Sequence, residues 1–486
     1  MFLFLLAITL NKQVNYKNQT MKKLFYLVAL TGLVTISCRK IEVDGPVNPT
    51  NPINPTNPVG AENTILEGRI TQNLTLKAAF TYKLRGLVYV TNGAILTIEP
   101  GTKIVGELNK LGGLVITRSS KIIADGTVDK PIVFTSEAAT PTRGDWSGIV
   151  ILGNAPTNAS FNGVQGVGAV EGGVNNSDNL GLYGTPATQG QNPADNSGIL
   201  RYVRIEYAGS AFLPDNEINS LTMGGVGSGT VIDYVQVSYA NDDAFEWFGG
   251  TVNCKHLIAY RTLDDDFDTD NGYTGKIQFG IVLRDSSAAD ISKSEGFESD
   301  NDANGSTLTP KTRPLFSNMT VVGPRATASS VGNSLFLAGA QIRRNSSQSI
   351  FNSIIMGWPI GLLIDASKGE PTDKNIPATL LVQNTILAGN NVAVKYSASA
   401  TAPTGATDAT ITAWFNTPAF GNTIIPAAAG VLVAPFSYSA PDFTPSSGSP
   451  ALSGASFVNT GSGFTNVDYR GAVGPADTWF KGWTKY

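Results

Sequence analysis

Three short stretches in the middle of the sequence repeat one arrangement of acids around a phenylalanine: Asp242-Asp243-Ala244-Phe245-Glu246, Asp264-Asp265-Asp266-Phe267-Asp268 and Glu295-Gly296-Phe297-Glu298. Two positions beyond the last acid of each come Phe248, Asp270 and Asp300. Alternate side chains of a strand face opposite ways, so Phe245, Phe267 and Phe297 in a core would send Glu246, Asp268 and Glu298 outward. Stacked as neighbouring strands, those carboxylates would stand about 4.8 Å apart, with Asp243, Asp265 and Glu295 in the turns that lead into them. Such a row repels itself unless protons or a cation relieve it. Calcium, a hard cation served by several carboxylate oxygens at flexible geometry, is the natural relief. Three readings stay open: acids that only cap turns on a solvated face, calcium that braces the stack, and an ion that bridges to a substrate.

Catalysis at this row would need a base. Lys276, Arg284 and Lys293 are the basic residues to consider on the coils that follow. None stands in a recognisable motif, and each reads more simply as a solvated surface charge. The single histidine, His256, lies in Cys254-Lys255-His256-Leu257 and reads as a turn residue, while Cys254 reads as a small buried core residue. Outward carboxylates at a suitable separation could also serve as acid and base of a glycosidase. Trp247 should face the core by alternation, which leaves Phe248 as an aromatic beside the acids for stacking on sugar rings.

The elements that must hold these residues are short strands. The chain has 486 residues with 52 glycines, 26 prolines and 15% charged residues, a composition of all-β extracellular proteins rather than helical enzymes. The net charge of −4 argues against nucleic acid as a partner, which needs a basic face. From about residue 63, apolar and β-branched runs such as Gly113-Leu114-Val115-Ile116 and Pro131-Ile132-Val133-Phe134 alternate with Gly, Asn and Asp. The three phenylalanines recur 22 and 30 residues apart, the length of one solenoid coil. In a second series, Asn253-Cys254, Asn318-Met319, Asn352-Ser353 and Asn384-Thr385 each precede an apolar strand. Asparagines stacked at one turn would bond from coil to coil. Together the two series favour an all-β parallel β-helix over a sandwich.

Leu96-Thr97-Ile98-Glu99-Pro100-Gly101-Thr102, Ile123-Ala124-Asp125-Gly126-Thr127 and Gly144-Asp145-Trp146-Ser147-Gly148-Ile149 resemble the opening coils of the pectate-lyase-like superfamily. Asp442-Phe443-Thr444-Pro445, Gly448-Ser449-Pro450-Ala451-Leu452 and Tyr469-Arg470-Gly471-Ala472 resemble the closing segments of its exported members. The resemblance covers residues 63–486 and implies a right-handed parallel β-helix, with a closing segment from about residue 440. It fixes the fold more than the function, because this scaffold carries lyases, hydrolases, adhesins and proteins without chemistry. Asp264-Asp265-Asp266-Phe267-Asp268, with Asp243 one coil earlier, is similar to the calcium-binding coils of family-nine polysaccharide lyases. That resemblance implies Asp243, Asp264, Asp265 and Asp268 as calcium ligands, with Glu246, Asp270, Glu295, Glu298 and Asp300 completing the acidic face. The sequence departs from the family at Asp266, where glycine is preferred.

Ahead of the β-helix, Met21-Lys22-Lys23 opens a short apolar run that ends at Thr35-Ile36-Ser37-Cys38, which resembles a bacterial lipobox. Residues 21–37 are then a secretory signal too short to span a membrane, and Cys38 the lipidated residue. Residues 1–20 form an extension ahead of the start expected at Met21. Residues 38–62 repeat Asn-Pro at 51–52, 54–55 and 57–58, which makes an extended tether. The expectation is a lipid-anchored protein of the outer membrane, displayed at the cell surface, that binds polysaccharide or joins an outer-membrane protein complex and carries structural calcium. A calcium-dependent polysaccharide lyase is the second expectation and a glycoside hydrolase the third.

Overall fold

The computed structural model describes residues 64–486 except 214–215, together with the backbone of Pro52–Ile53. The signal segment, Cys38 and the rest of the tether lie outside the described residues. Parallel strands stack into three faces of a right-handed β-helix. One early coil shows the plan: Lys121–Asp125 on the first face, Ile132–Ser136 on the second and Gly148–Leu152 on the third. Pairing runs from coil to coil within each face, so strands inside the stack find their hydrogen-bond partners above and below.

In the middle coils a single strand bends from the first face onto the second, as in Gly198–Glu206, Val231–Ser238, Cys254–Tyr260, Lys276–Leu283 and Leu315–Val322. The bend is made by one residue with left-handed φ: Tyr202 at 49°, Tyr234 at 54°, His256 at 51°, Phe279 at 64° and Asn318 at 54°. Asn352 and Asn384 continue that row at 53°. Asn253 does not belong to it; His256 holds the slot in that coil, because Leu257 pairs with Gly280 and Gly280 with Met319. The asparagines do not bond to one another. They do bond from coil to coil through other partners, Gln278 Nε2 donating to Asn318 Oδ1 and Asn352 Nδ2 to Ser317 Oγ, each at 3.1 Å. They also hold the C-terminal segment: Asn318 Nδ2 donates to the Tyr469 carbonyl at 3.0 Å and Asn352 Oδ1 accepts from the Ser456 N–H at 2.8 Å.

The inside of the coils is one continuous apolar core that includes Leu96, Phe134, Trp146, Phe245, Trp247, Phe267, Phe297 and Trp358. The only α-helix among the described residues, Asp408–Phe415, starts at a Thr407 capping box and adds Ile411 and Phe415 to that core beside the late strand Val392–Ser397. The excursion at 153–197 packs Val170, Val174 and Tyr183 on the outside of the third face. The C-terminal segment covers the outside of the second face with Phe443, Phe480 and Trp483.

Candidate metal centre

The third face carries the acids. Its strands Leu221–Gly224, Phe245–Phe248, Phe267–Asp270 and Phe297–Ser299 pair in the order and register that the phenylalanine spacing predicts. Phe245, Phe267 and Phe297 are fully buried and stack at centroid distances of 5.5 and 5.6 Å. Glu246, Asp268 and Glu298 form one outward row, flanked by Thr222 on one side and Gln341 on the other.

The turns explain the acids that precede each strand. Asp243 Oδ1 accepts from the Asp265 N–H at 2.8 Å, and Asp265 Oδ1 accepts from the Glu295 N–H at 2.6 Å. Each carboxylate therefore ties its turn to the next coil. Ser292 Oγ donates to Asp264 Oδ2 at 2.8 Å from the neighbouring loop.

These links and the strand register bring the acids into three groups, each offering carboxylate oxygens within 4.8 Å of one another: Asp242, Asp243 and Asp264; Asp243, Glu246 and Asp268; Asp265, Glu295 and Glu298. Of the ligand set inferred from family-nine lyases, Asp243 thus meets Asp264 in one group and Asp268 in another, while Asp265 joins Glu295 and Glu298. Asp243 is the residue shared between two groups. Asp264 Oδ1 and Asp268 Oδ1 are buried oxygens without a hydrogen-bond donor.

The row is not a solvated face. Asp243, Glu246, Asp265 and Glu295 are buried, and Asp264, Asp268 and Glu298 half-buried. Burial, reinforced by neighbouring carboxylates, pushes Asp243, Glu246, Asp264, Asp268 and Glu295 well above the usual carboxylate range. Glu298 is raised as well, by burial that the nearby Arg343 only partly offsets. Ionised neighbours in such a row repel by about 3 kcal/mol per pair at an effective dielectric near 20. Asp243, Asp264 and Asp268, with donor-free oxygens on the last two and mutual repulsion, offer the hard oxygen ligands that a divalent cation takes, so these residues fit calcium, while the group of Asp265, Glu295 and Glu298 is partly neutralised by Arg343.

At the far end of the row, two arginines that the sequence reading did not identify neutralise the acids. Arg343 pairs with Glu298, and its Nε donates to Asp300 Oδ1 at 2.9 Å; Arg344 pairs with the other Asp300 oxygen. Asp270 lies between Phe248 and Asp300 in register with the former, and burial beside Asp300 raises it to about 8. Phe248 is not free to stack on sugars, since Tyr183 of the excursion lies on it at 5.9 Å.

The three basic candidates go to different places. Lys276 sits on the first face, where its ammonium reaches the Ser462 carbonyl. Arg284 is fully buried, 3.1 Å from Asp266 Oδ2, with its guanidinium over Phe336 at 5.0 Å. It cannot meet a substrate. Asp266 faces inward to that partner and needs no left-handed φ, so the departure from glycine leaves the turn unstrained. Lys293 is exposed in the loop that supplies Ser292. His256 is a turn residue whose Nδ1 lies 2.7 Å from Asp233 Oδ1, and Cys254 is buried.

A family model described as a pectate-lyase-like beta helix domain matches residues 68–426. No curated protein and no solved structure matches the chain.

Proposed function

This chain belongs to the pectate-lyase-like β-helix domain family, and from that premise we propose a carbohydrate-related, non-catalytic role: a calcium-braced β-helix of the outer membrane, anchored through Cys38, that binds glycans or a partner protein complex. The cation reading is carried by the three carboxylate groups along one row, with the buried Asp264 and Asp268 oxygens left without donors. A bound divalent ion supplies charge neutralisation where protons otherwise must. The non-catalytic reading is supported by the fate of the candidate bases, since Lys276 lies on another face and Arg284 is locked inside. A calcium-dependent lyase is the second reading, and exposed Lys293, beside the Ser292 bond to Asp264, is the residue that favours it.

Calorimetry tests the cation. Chelation should lower the melting temperature and calcium restore it, because an ion at a hundredfold excess over its Kd adds about 2.7 kcal/mol to the folded state. Asp243→Asn should remove most of that response, since Asp243 serves two groups. A melting curve indifferent to chelator would reduce the acids to turn caps. The anchor is tested by fractionation: Cys38→Ala should leave the membrane fraction while keeping the melting temperature of the wild type, and retention of the processed variant in membranes would refute lipidation at Cys38.

A further inference from the structure

The β-helix opens with the strands Ile65–Ile70 and Leu74–Leu76. On the N-terminal side of that coil the described residues place only Pro52–Ile53, whose backbone pairs in parallel with Arg69 and Ile70. We propose that the Asn-Pro tract from Pro52 onward is a capping coil and not a free tether: residues 52–64 lie across the open N-terminal end, cover its apolar residues and block its edge against a strand from another chain.

Register is the first support. Ile53 stands opposite Ile70, Ile70 opposite Val90 and Val90 opposite Ile116. The last three belong to the core, each at most 2% exposed, so Ile53 takes the next position in a core row of the third face. Chain length agrees. To pass from this row to the second face the next two coils use residues 71–82, ending at Lys83, and residues 91–104, ending at Val105, with Ile65 beside Lys83 and Lys83 beside Val105. Residues 54–64 therefore supply 11 residues for a path that takes 12 and 14 in those coils. Thr64 is already on it, its carbonyl accepting from the Lys83 N–H at 2.8 Å. The path crosses the first face, where Leu74–Leu76 pairs with Leu96–Ile98 on one side and has no described partner on the other.

Burial points the same way. Leu66, Leu74 and Leu76 are 6%, 5% and 1% exposed. The following coil covers them from one side only, and the end coil of a solenoid left bare on the other would expose its apolar side chains. The prolines suit an outermost coil, because Pro52, Pro55 and Pro58 have no N–H. A strand so interrupted offers no continuous ladder, which keeps an edge from pairing with other chains. With the anchor proposed at Cys38, the free spacer shrinks to residues 39–51, about 45 Å at full extension; the cap itself does not depend on that anchor.

Hydrogen exchange on the mature chain, produced without lipid, tests the cap. Amides within 53–64 should exchange at least about tenfold more slowly than those within 39–51. Ile53→Asp, which puts a charge in the core row, should abolish that protection, and Ile53→Val should keep it. A chain beginning at residue 50 should melt like the mature chain, whereas one beginning at residue 64 should melt lower, bind a hydrophobic dye and self-associate in sedimentation. Should the shorter chain fail to fold, exchange in the intact chain and the Ile53 pair still decide. Pro52→Ala, Pro55→Ala and Pro58→Ala combined should keep the protection and shift the protein toward dimers or larger species as concentration rises. The cap is overturned by uniform fast exchange across 39–64, by an Ile53→Asp chain protected like the wild type, by a chain from residue 50 as impaired as that from residue 64, or by a chain from residue 64 that melts and sediments like the mature one. A triple proline variant that stays monomeric overturns the edge-blocking role.

Discussion

Arg284 and Asp266 are both fully shielded from solvent, and the guanidinium also donates to the Leu263 carbonyl at 2.9 Å. Burial lifts Asp266 to about 7 even with the arginine opposing it. Removing one partner of such a pair leaves an uncompensated charge or an unmet polar group in the core, at a cost of about 3–5 kcal/mol. Arg284→Ala should therefore lose about that much in chemical denaturation, and Asp266→Ala combined with Arg284→Met should recover a large part of it. A loss below about 1 kcal/mol for the single variant would mean that the pair is hydrated. In the sequence Asp266 looks like one more member of an acidic stretch and Arg284 like a surface charge. Their inward turn depends on Phe336, supplied by a later coil, and no local pattern announces it.

The acidic row was legible as far as spacing carries. Phe245, Phe267 and Phe297 set the register, and Glu246, Asp268 and Glu298 followed from alternation. The same register continued one coil further places Gln341 after Glu298 and so brings Arg343 to Asp300, but the long loop between them hides the period. The groups formed by Asp243 and Asp265 with different partners also lay beyond reach, because turn geometry decides them. As an element, the row makes stability depend on pH in a definite sense. Asp270, at about 8 in the fold, stands above its unfolded value of about 4, so the folded state binds the extra proton. Its contribution is complete below about pH 4 and is lost as pH rises through about 8. Asp285 runs the other way: hydrogen bonds from Ser287 and Arg261 outweigh its burial and hold it low, so its contribution is lost only in stronger acid. In chelator the melting temperature should thus fall between about pH 5 and pH 8, and Asp270→Asn should flatten the slope. If calcium binds as proposed it would replace those protons, and its stabilisation should then grow over the same interval. A melting temperature that is flat or rising across that interval in chelator would contradict this account.

In a solenoid each coil touches mainly its neighbours, and stability is close to a sum of local terms. The C-terminal segment changes that for this β-helix. From Ser456 bonded to Asn352, it runs back through Thr465 on Gln278 to Lys485 on Gln236, and the Trp483 carbonyl accepts from Arg204 Nη1 at 3.1 Å. The family resemblance marked a closing segment from about residue 440, but its return along the side of the stack follows from side chains spread over many coils and was not legible. Underneath it, Tyr260, Leu283, Val322 and Met356 on the outside of the second face pack with Phe443, Phe480 and Trp483. Each such side chain contributes about 1.5–3 kcal/mol by leaving water. Deleting residues 440–486 would expose that apolar surface and remove the bonds that join early coils to late ones. The truncated chain should be poorly soluble, or bind a hydrophobic dye and melt over a broad or divided transition in place of a single one. Trp483→Ala is the milder test, with an expected loss of about 3–5 kcal/mol concentrated in the coils around Arg204 and Gln236. A truncated chain that stays soluble and melts in one transition at the wild-type temperature would show that the coils cohere without the segment, and that its packing adds nothing to the stack.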